Sequence, residues 1–299
     1  MTRPLSAIEW DEIQRLFRDQ NIYNVGISDA NEVDDFIKQN FLEYLKNNYH
    51  GEMNYLERNL DKRFSPQQLQ PGTQSIITFI LPYYQELPKQ WTEKISIYVT
   101  KNDYHNVAKK IGQPIIDFLQ KLDPEFHPHL YVDSAPVIDK YWAWKAGLGF
   151  IGENTLLINK KYGSYVFIAN ICTSLQPPAE NIKETISYKC GNCKKCIEAC
   201  PTQALLHNKT LNASKCISYL TIEKKKNDLS CLSIKNINYI YGCDICQKVC
   251  PYNSNIPQTK IDDFIFNEAE KSLLKNWAIG VSDCPENLLL KSVLKRKIL

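Results

Sequence analysis

Nine of the eleven cysteines in this 299-residue chain lie between residues 190 and 250, and their spacing is that of metal-cluster ligands. The first run reads Cys190-Gly-Asn-Cys193-Lys-Lys-Cys196-Ile-Glu-Ala-Cys200-Pro201, which is C-x2-C-x2-C-x3-C-P without a mismatch. In that pattern three thiolates on one tight loop hold a cubane iron–sulfur cluster, and the fourth cysteine serves a second cluster. The second cluster needs cysteines of its own, and Cys243-x2-Cys246-x3-Cys250-Pro251 supplies them. This run is one ligand short, because the position three before Cys243 is Ile240. Cys216 is the natural replacement and Cys231 its competitor; spacing alone does not choose between them. With Cys216, the sets are Cys190, Cys193, Cys196 and Cys250 for one [4Fe-4S] cluster, and Cys200, Cys216, Cys243 and Cys246 for the other. Zinc also takes C-x2-C pairs, but the paired C-x3-C-P repeats the crossover of two-cluster ferredoxins. Cys172, Cys231 and Cys284 are then left over and read as inert thiols.

The elements that must carry these thiols belong to a globular chain. Hydrophobic residues make up 43% and charged residues 23% of the sequence, which suits one large domain or two ordinary ones. Eleven cysteines do not imply a disulfide scaffold in a chain this long. No signal-like or membrane-spanning stretch is visible, so a cytoplasmic protein is expected, where thiols stay reduced. The formal net charge of +3 hides an asymmetry: residues 181–260 contain twelve lysines against five acids. Part of that excess offsets the negative charge of two thiolate-bound clusters. The remaining runs, Lys160-Lys161, Lys194-Lys195 and Lys224-Lys225-Lys226, suit either a solvated face or a polyanionic partner.

Ahead of the cysteines, Ser6-Ala-Ile-Glu9 is a capping box that opens a helix. Strands are expected at residues 21–27, 75–81 and 130–133, and helices at 33–48, 52–60 and 114–121. The glycines of Lys145-Ala-Gly147-Leu-Gly149-Phe-Ile-Gly152-Glu-Asn154 match no phosphate loop and suit backbone lying against something bulky. Residues 156–158 and 165–169 flank a turn and read as a hairpin. Gln176-Pro177-Pro178 breaks the chain before the cysteines. The expected organisation is therefore a domain over 1–178, a two-cluster module over 179–258 and a helical tail over 259–299.

Several segments give the chain a resemblance to the epoxyqueuosine reductase family. They are Gly51-Glu-Met53-Asn-Tyr55-Leu-Glu-Arg58, Lys62-Arg63, Leu69-Gln-Pro71-Gly72, Asp103-Tyr104-His105, Val132-Asp133-Ser134-Ala135-Pro136, Lys145-Ala-Gly-Leu-Gly149, Lys215-Cys216-Ile217-Ser218-Tyr219-Leu220-Thr221-Ile222-Glu223 and Tyr241-Gly242-Cys243-Asp244. The resemblance favours Cys216 as the missing ligand. It implies an α+β chain in which a nitroreductase-like cobalamin-binding α/β domain, akin to those of reductive dehalogenases, precedes a ferredoxin-like module with two [4Fe-4S] clusters. It also implies Arg58, Arg63, Asp133, Asn154 and Ser218 beside cobalamin, with Asp133 as proton donor. The chain departs from the family at Thr100-Lys101-Asn102, Phe150 and Glu153, and it stops at Leu299 without the helical-repeat extension of longer members. Its grip on tRNA is therefore expected to rest on the lysines of the cluster module.

The implied activity is reduction of epoxyqueuosine in tRNA to queuosine, with loss of the epoxide oxygen as water. It consumes two electrons and two protons, and the electrons would come from an external flavodoxin or ferredoxin to a monomeric enzyme. A reductive dehalogenase-like enzyme and a cobalamin-free electron carrier are the alternatives; the carrier would leave Asp133 unexplained. Because Val132, Ala135, Pro136 and Val137 are apolar, Asp133 is expected to be partly buried, with its carboxyl protonated near neutral pH.

Overall fold

The capping box does open the first helix: the Ser6 hydroxyl accepts from the Glu9 N–H, and the Glu9 carboxylate accepts from the Ser6 N–H at 2.9 Å. The computed structural model describes residues 3–179, 188–224 and 239–295. Lys225, Lys226 and Cys231 lie outside the described residues. In chain order the helices are α1 (Ala7–Arg18), α2 (Asp35–Lys46), α3 (Leu60–Phe64), α4 (Pro66–Leu69), α5 (Lys89–Thr92), α6 (Tyr104–Leu122), α7 (Asp139–Lys145), α8 (Lys195–Glu198), α9 (Ile217–Ile222), α10 (Ile245–Lys248), α11 (Glu268–Ala278) and α12 (Glu286–Leu289). The strands are β1 (Val25–Asp29), β2 (Ser75–Pro82), β3 (His129–Tyr131), β4 (Phe150–Ile151), β5 (Leu157–Ile158) and β6 (Val166–Thr173). Among the described residues no helix is long and apolar enough to cross a membrane.

Four strands form an antiparallel sheet in the order β1-β2-β6-β3, with Ile77 opposite Ile171 and Thr78 opposite Asn170. Alternation along the strands gives the sheet two distinct faces. Ile77, Phe79, Leu81, Ala169 and Ile171 join the main core with Ile13 and Phe17 of α1 and Ile111 and Ile115 of α6. Ile76, Ile80 and Cys172 point the other way, into two smaller clusters built around α7. That second face also carries Thr78 and Asn170, both buried and polar. An all-antiparallel sheet packed against helices, with no strand–helix–parallel strand crossover among the described residues, is an α+β arrangement.

Several expectations need correction. Residues 52–60 form no α-helix: Asn54–Glu57 is a single 3-10 turn, and α3 begins at Leu60 after Asn59, whose φ is 53°. Helix α6 starts not at Pro114 but ten residues earlier, where the Asp103 side chain accepts from the His105 N–H at 3.1 Å and supplies the cap. Residues 156–158 and 165–169 do not pair with each other. β5 joins β4, whereas β6 runs against β2, and a single bridge from Asn159 to Gly163 is all that remains of the hairpin. The bulk behind the glycine loop is the chain itself, since a Cβ at Gly149 would lie 2.4 Å from the Ile158 carbonyl oxygen.

The cysteine-bearing segment is pinned to the sheet domain by a buried acid. Asp244 is fully buried and accepts from the Ser96 hydroxyl at 2.5 Å, the Ile97 N–H at 2.7 Å and the Gln247 amide at 3.2 Å. Gly242, at φ +69°, lets the backbone close on Ser96, because a Cβ there would meet the Ser96 Cβ at 2.5 Å. Removing the carboxylate strands buried donors, each worth roughly 1–3 kcal/mol. Asp244→Ala should therefore lower the unfolding free energy by about 3 kcal/mol or more, read from urea denaturation of the apoprotein. A loss within about 0.5 kcal/mol would show that the clamp carries little.

Candidate active site and its thiol clusters

Helices α8 and α10 pack against each other, and each ends near a cysteine that faces the other run. Cys250, after α10, feels the charges of Cys190 and Cys193, and Cys196 feels those of Cys190 and Cys250. Cys216, capping α9, feels Cys200, and Cys243 feels both Cys216 and Cys200. Cys246 senses Cys243 and Cys216 most strongly and also Cys196, so the two groups approach each other there. The structure thus brings Cys190, Cys193, Cys196 and Cys250 together, and separately Cys200, Cys216, Cys243 and Cys246.

Burial, followed by the neighbouring sulfurs, pushes the Cys196 thiol up to about 11. Burial likewise takes Cys243 to about 12. Cys200 moves down instead: burial raises it, but the Thr202 hydroxyl and nearby backbone N–H groups outweigh that, Ala204 donating to its sulfur at 3.3 Å. Among the described residues no three His, Cys, Asp or Glu groups converge tightly enough for a single metal ion.

The first thiol group touches the glycine loop. The Glu153 N–H donates to the Cys190 sulfur at 3.4 Å, and Phe150 packs with Tyr188, Cys190, Cys250 and Tyr252. The same loop reaches α7, where the Lys140 ammonium donates to the Thr155 carbonyl at 2.7 Å. Between these contacts sits Asn154. Its Oδ1 accepts from the Leu156 N–H at 3.3 Å, while its buried Nδ2 has no partner. Arg63, on α3, is likewise buried with an unpartnered Nε, and burial pulls its guanidinium down from its ordinary value. A buried orphaned donor is what a bound group rich in carbonyl oxygens would satisfy, and Arg63 and Asn154 each offer one, although Asn154 does not line the pocket beside Arg63. On that observation the residues present fit a corrinoid with peripheral amides. The pocket beside Arg63, at about 250 Å³ lined by Pro66, Tyr131, Trp142 and Asn170, is too small to enclose one. Arg58 is exposed after the 3-10 turn, and Ser218 is half-buried on α9.

Asp133 departs from expectation. Its side chain is 66% exposed, although Val132 beside it is buried. The cause is local: Asp133 has φ 57° and sits at the centre of a γ-turn closed by the Ser134 N–H to the Val132 carbonyl at 2.6 Å. Such turns with positive φ are rare and strained, and they swing the central side chain away from the strand. The Tyr104 hydroxyl donates to Asp133 Oδ2 at 2.7 Å, and His105 Nε2 lies 3.7 Å from the same oxygen. The side chain is therefore not the partly buried group that the flanking apolar residues suggest.

The raised carboxyl of this region is Asp139. It stands at the start of α7 and accepts from the Asn170 amide at 2.6 Å, and Asn170 in turn accepts from the Thr78 hydroxyl at 2.7 Å. Asp139 keeps some solvent contact, but protein surrounds it; that burial, and then the charge of Asp133, pushes it up to about 8. Sequence reasoning missed Asp139, Tyr104 and His105. Tyr104 and His105 could have been found from their place behind the Asp103 cap, whereas nothing local marks Asp139.

Two family models match the chain. The one described as 4Fe-4S double cluster binding domain covers residues 189–253, and the one described as Epoxyqueuosine reductase QueG, DUF1730 covers residues 63–134. An epoxyqueuosine reductase of Leadbetterella byssophila is 41% identical over 254 residues, spanning 85% of this chain and 82% of that protein. A Bacillus subtilis epoxyqueuosine reductase structure, solved with an aspartate-bearing catalytic loop swung out of the active site, aligns with TM-score 0.73 and 26% identity over 95% of this chain and 76% of its own. A third, an epoxyqueuosine reductase with an epoxyqueuosine-modified tRNA-Tyr stem loop, aligns with TM-score 0.69 and 28% identity over 88% and 68% of the two chains.

Asp139 gives a pH-dependent stability. An unfolded aspartate ionises near 4, whereas the folded one holds its proton to about 8. The native state then binds more protons over that interval, so this group's contribution falls as pH rises from about 4 to about 8. Asp139→Asn should remove that slope, and its melting temperature should gain on the wild type progressively across the interval. A constant difference between the two proteins would place the Asp139 proton elsewhere.

Proposed function

The chain belongs to the epoxyqueuosine reductase family, and on that premise we propose that it reduces epoxyqueuosine in tRNA to queuosine, the closing step of queuosine formation. The observation that supports this most is the meeting of three parts on the 150–155 loop: the Cys190 sulfur on Glu153, the orphaned amide of Asn154, and the α7 contact beside Asp139. Electron carriers, a binding surface and proton-bearing groups thus share one wall.

Cys190, Cys193, Cys196 and Cys250 would hold one [4Fe-4S] cluster, and Cys200, Cys216, Cys243 and Cys246 the other. Arg63 and Asn154 would hold cobalamin through their unpartnered donors, with Arg58 and Ser218 at the periphery. The clusters supply one-electron carriage, and a bound cobalamin supplies a two-electron nucleophile for the epoxide carbon. The chain's own residues then supply position and protons. Asp133, exposed on its strained turn, can reach a substrate oxygen, and Tyr104 orients its carboxylate. An external low-potential flavodoxin or ferredoxin is the proposed electron source. The tRNA surface would include exposed Lys160 and Lys161, which flank the glycine loop, and a contact of that kind weakens steeply with salt.

The reading is tested with the anaerobically reconstituted protein, a chemical reductant and tRNA bearing epoxyqueuosine, followed by nucleoside analysis. Queuosine should accumulate, and its absence with both cofactors loaded would overturn the proposal. Asp133→Asn should keep its iron and cobalamin yet lose about two orders of magnitude in turnover, the usual weight of an acid–base group. Turnover near wild type would remove Asp133 from the chemistry. Iron should approach about eight per chain in the wild type. It should fall markedly in Cys216→Ala while Cys231→Ala stays full; the reverse pattern would exchange the two ligands.

A further inference from the structure

One titratable group against Asp133 has no part in the steps above. His105 presents both ring nitrogens to carboxylates, Nδ1 at 2.7 Å from Asp103 Oδ1 and Nε2 at 3.7 Å from Asp133 Oδ2. A carboxylate oxygen near each nitrogen favours the imidazolium, because opposite charge close by stabilises the charged form. Its placement is tightly fixed. Asp103 is 5% exposed at its side chain, caps α6, and accepts from the Lys295 ammonium at 2.9 Å. Tyr104 stacks on His105 with ring centroids 4.1 Å apart and on Phe167 at 4.2 Å, while its hydroxyl holds Asp133.

We propose that His105 is the proton store that recharges Asp133 within each turnover, with Asp103 as the positioning residue that fixes the ring. This rests on the reading of Asp133 as proton donor and supplies what a single carboxyl lacks. Converting an epoxide to an alkene and water takes two electrons, from the external donor, and two protons. Asp133 delivers the first proton as the epoxide C–O bond opens and an O–H bond forms. The His105 Nε2–H then passes to Asp133 Oδ2, leaving a neutral ring. Asp133 gives this second proton to the hydroxyl as the remaining C–O bond breaks and water departs. Solvent returns protons to the ring and the carboxyl.

The 3.7 Å separation is longer than a hydrogen bond, so transfer needs a small swing of the exposed Asp133 side chain or one bridging water. The charged and titratable groups facing the ring are Asp103 and Tyr104 from α6 itself and Asp133 from the turn after β3; Lys295 acts from the tail through Asp103. Asp139, on α7, bears on Asp133. Burial pulls the imidazole down, but its hydrogen bond to Asp103 and the nearby carboxyls of Asp103 and Asp133 outweigh this and push it up to about 9. The ring therefore stays charged across the neutral range.

The test compares wild type, His105→Gln, Asp103→Asn and Asp133→Asn, all loaded with iron and cobalamin, for turnover against pH. NMR titration of the His105 ring in the wild-type apoprotein runs alongside. Wild-type turnover should decline as pH rises through about 9, with the ring titrating there. His105→Gln should lose about 10²-fold in turnover and lack that decline, whereas Asp103→Asn should move it toward the ordinary imidazole value near 6.5. Wild-type turnover and an unchanged pH profile in His105→Gln would overturn the proposal. So would a ring that is already neutral at pH 7.5 in the wild-type apoprotein, whatever the variants do. If Asp133→Asn is inactive while His105→Gln is not, only the proton store fails; an active Asp133→Asn removes the donor itself.

Discussion

Everything else in this molecule depends on the burial of the second cysteine run against the sheet domain. Asp244 is sealed among Ser96, Ile97 and Gln247, and the Ser96 N–H donates to the Tyr241 carbonyl at 2.9 Å. On the far side of the run, Asn253 accepts from the Ser164 N–H at 2.8 Å and donates to the Ser164 hydroxyl at 2.9 Å. These contacts set the position of α10, and with it Cys243, Cys246 and Cys250. A buried carboxylate is costly unless its donors are fixed, which ties the geometry of the thiols to that of the sheet domain.

The sheet divides labour between its faces. One is a continuous apolar layer against α1 and α6, whose interior gives rigidity. The other carries the polar line Thr78–Asn170–Asp139 through an otherwise apolar layer. Such a line is stable only when each member is paired, and Arg63, which lines a pocket with Asn170, keeps a buried donor unpaired. Helix α6 connects the two faces functionally. Its apolar side packs into the main core, while its first turn places Tyr104 and His105 beside Asp133.

Legibility in the sequence followed the range of the interactions involved. The cysteine runs were readable because cluster ligation imposes fixed local spacing, and the Ser6 cap because it involves neighbours only. Strand β2 was readable because it is buried on both faces and mostly apolar. The partner of β5 was not, because the neighbouring run 150–151 competed for it while β6 was taken by the distant strand β2. Asp133 misled because its neighbours' hydrophobicity says nothing about a φ of 57°. Asp139 was invisible because its proton affinity comes from burial and from Asp133, with Asn170, thirty-one residues away, as its partner. Family resemblance brought in Arg63 and Asn154, and the geometry adds that each holds a buried unpaired donor.

The central claim is that one chain brings two electrons and two protons to the same epoxide. The most direct measurement uses tRNA in which the epoxide oxygen of epoxyqueuosine is isotopically labelled, incubated anaerobically with loaded enzyme and a counted amount of reductant. The account predicts two electrons consumed per queuosine formed and the label recovered in water. Label retained in the nucleoside, or conversion that proceeds without reductant, would contradict it.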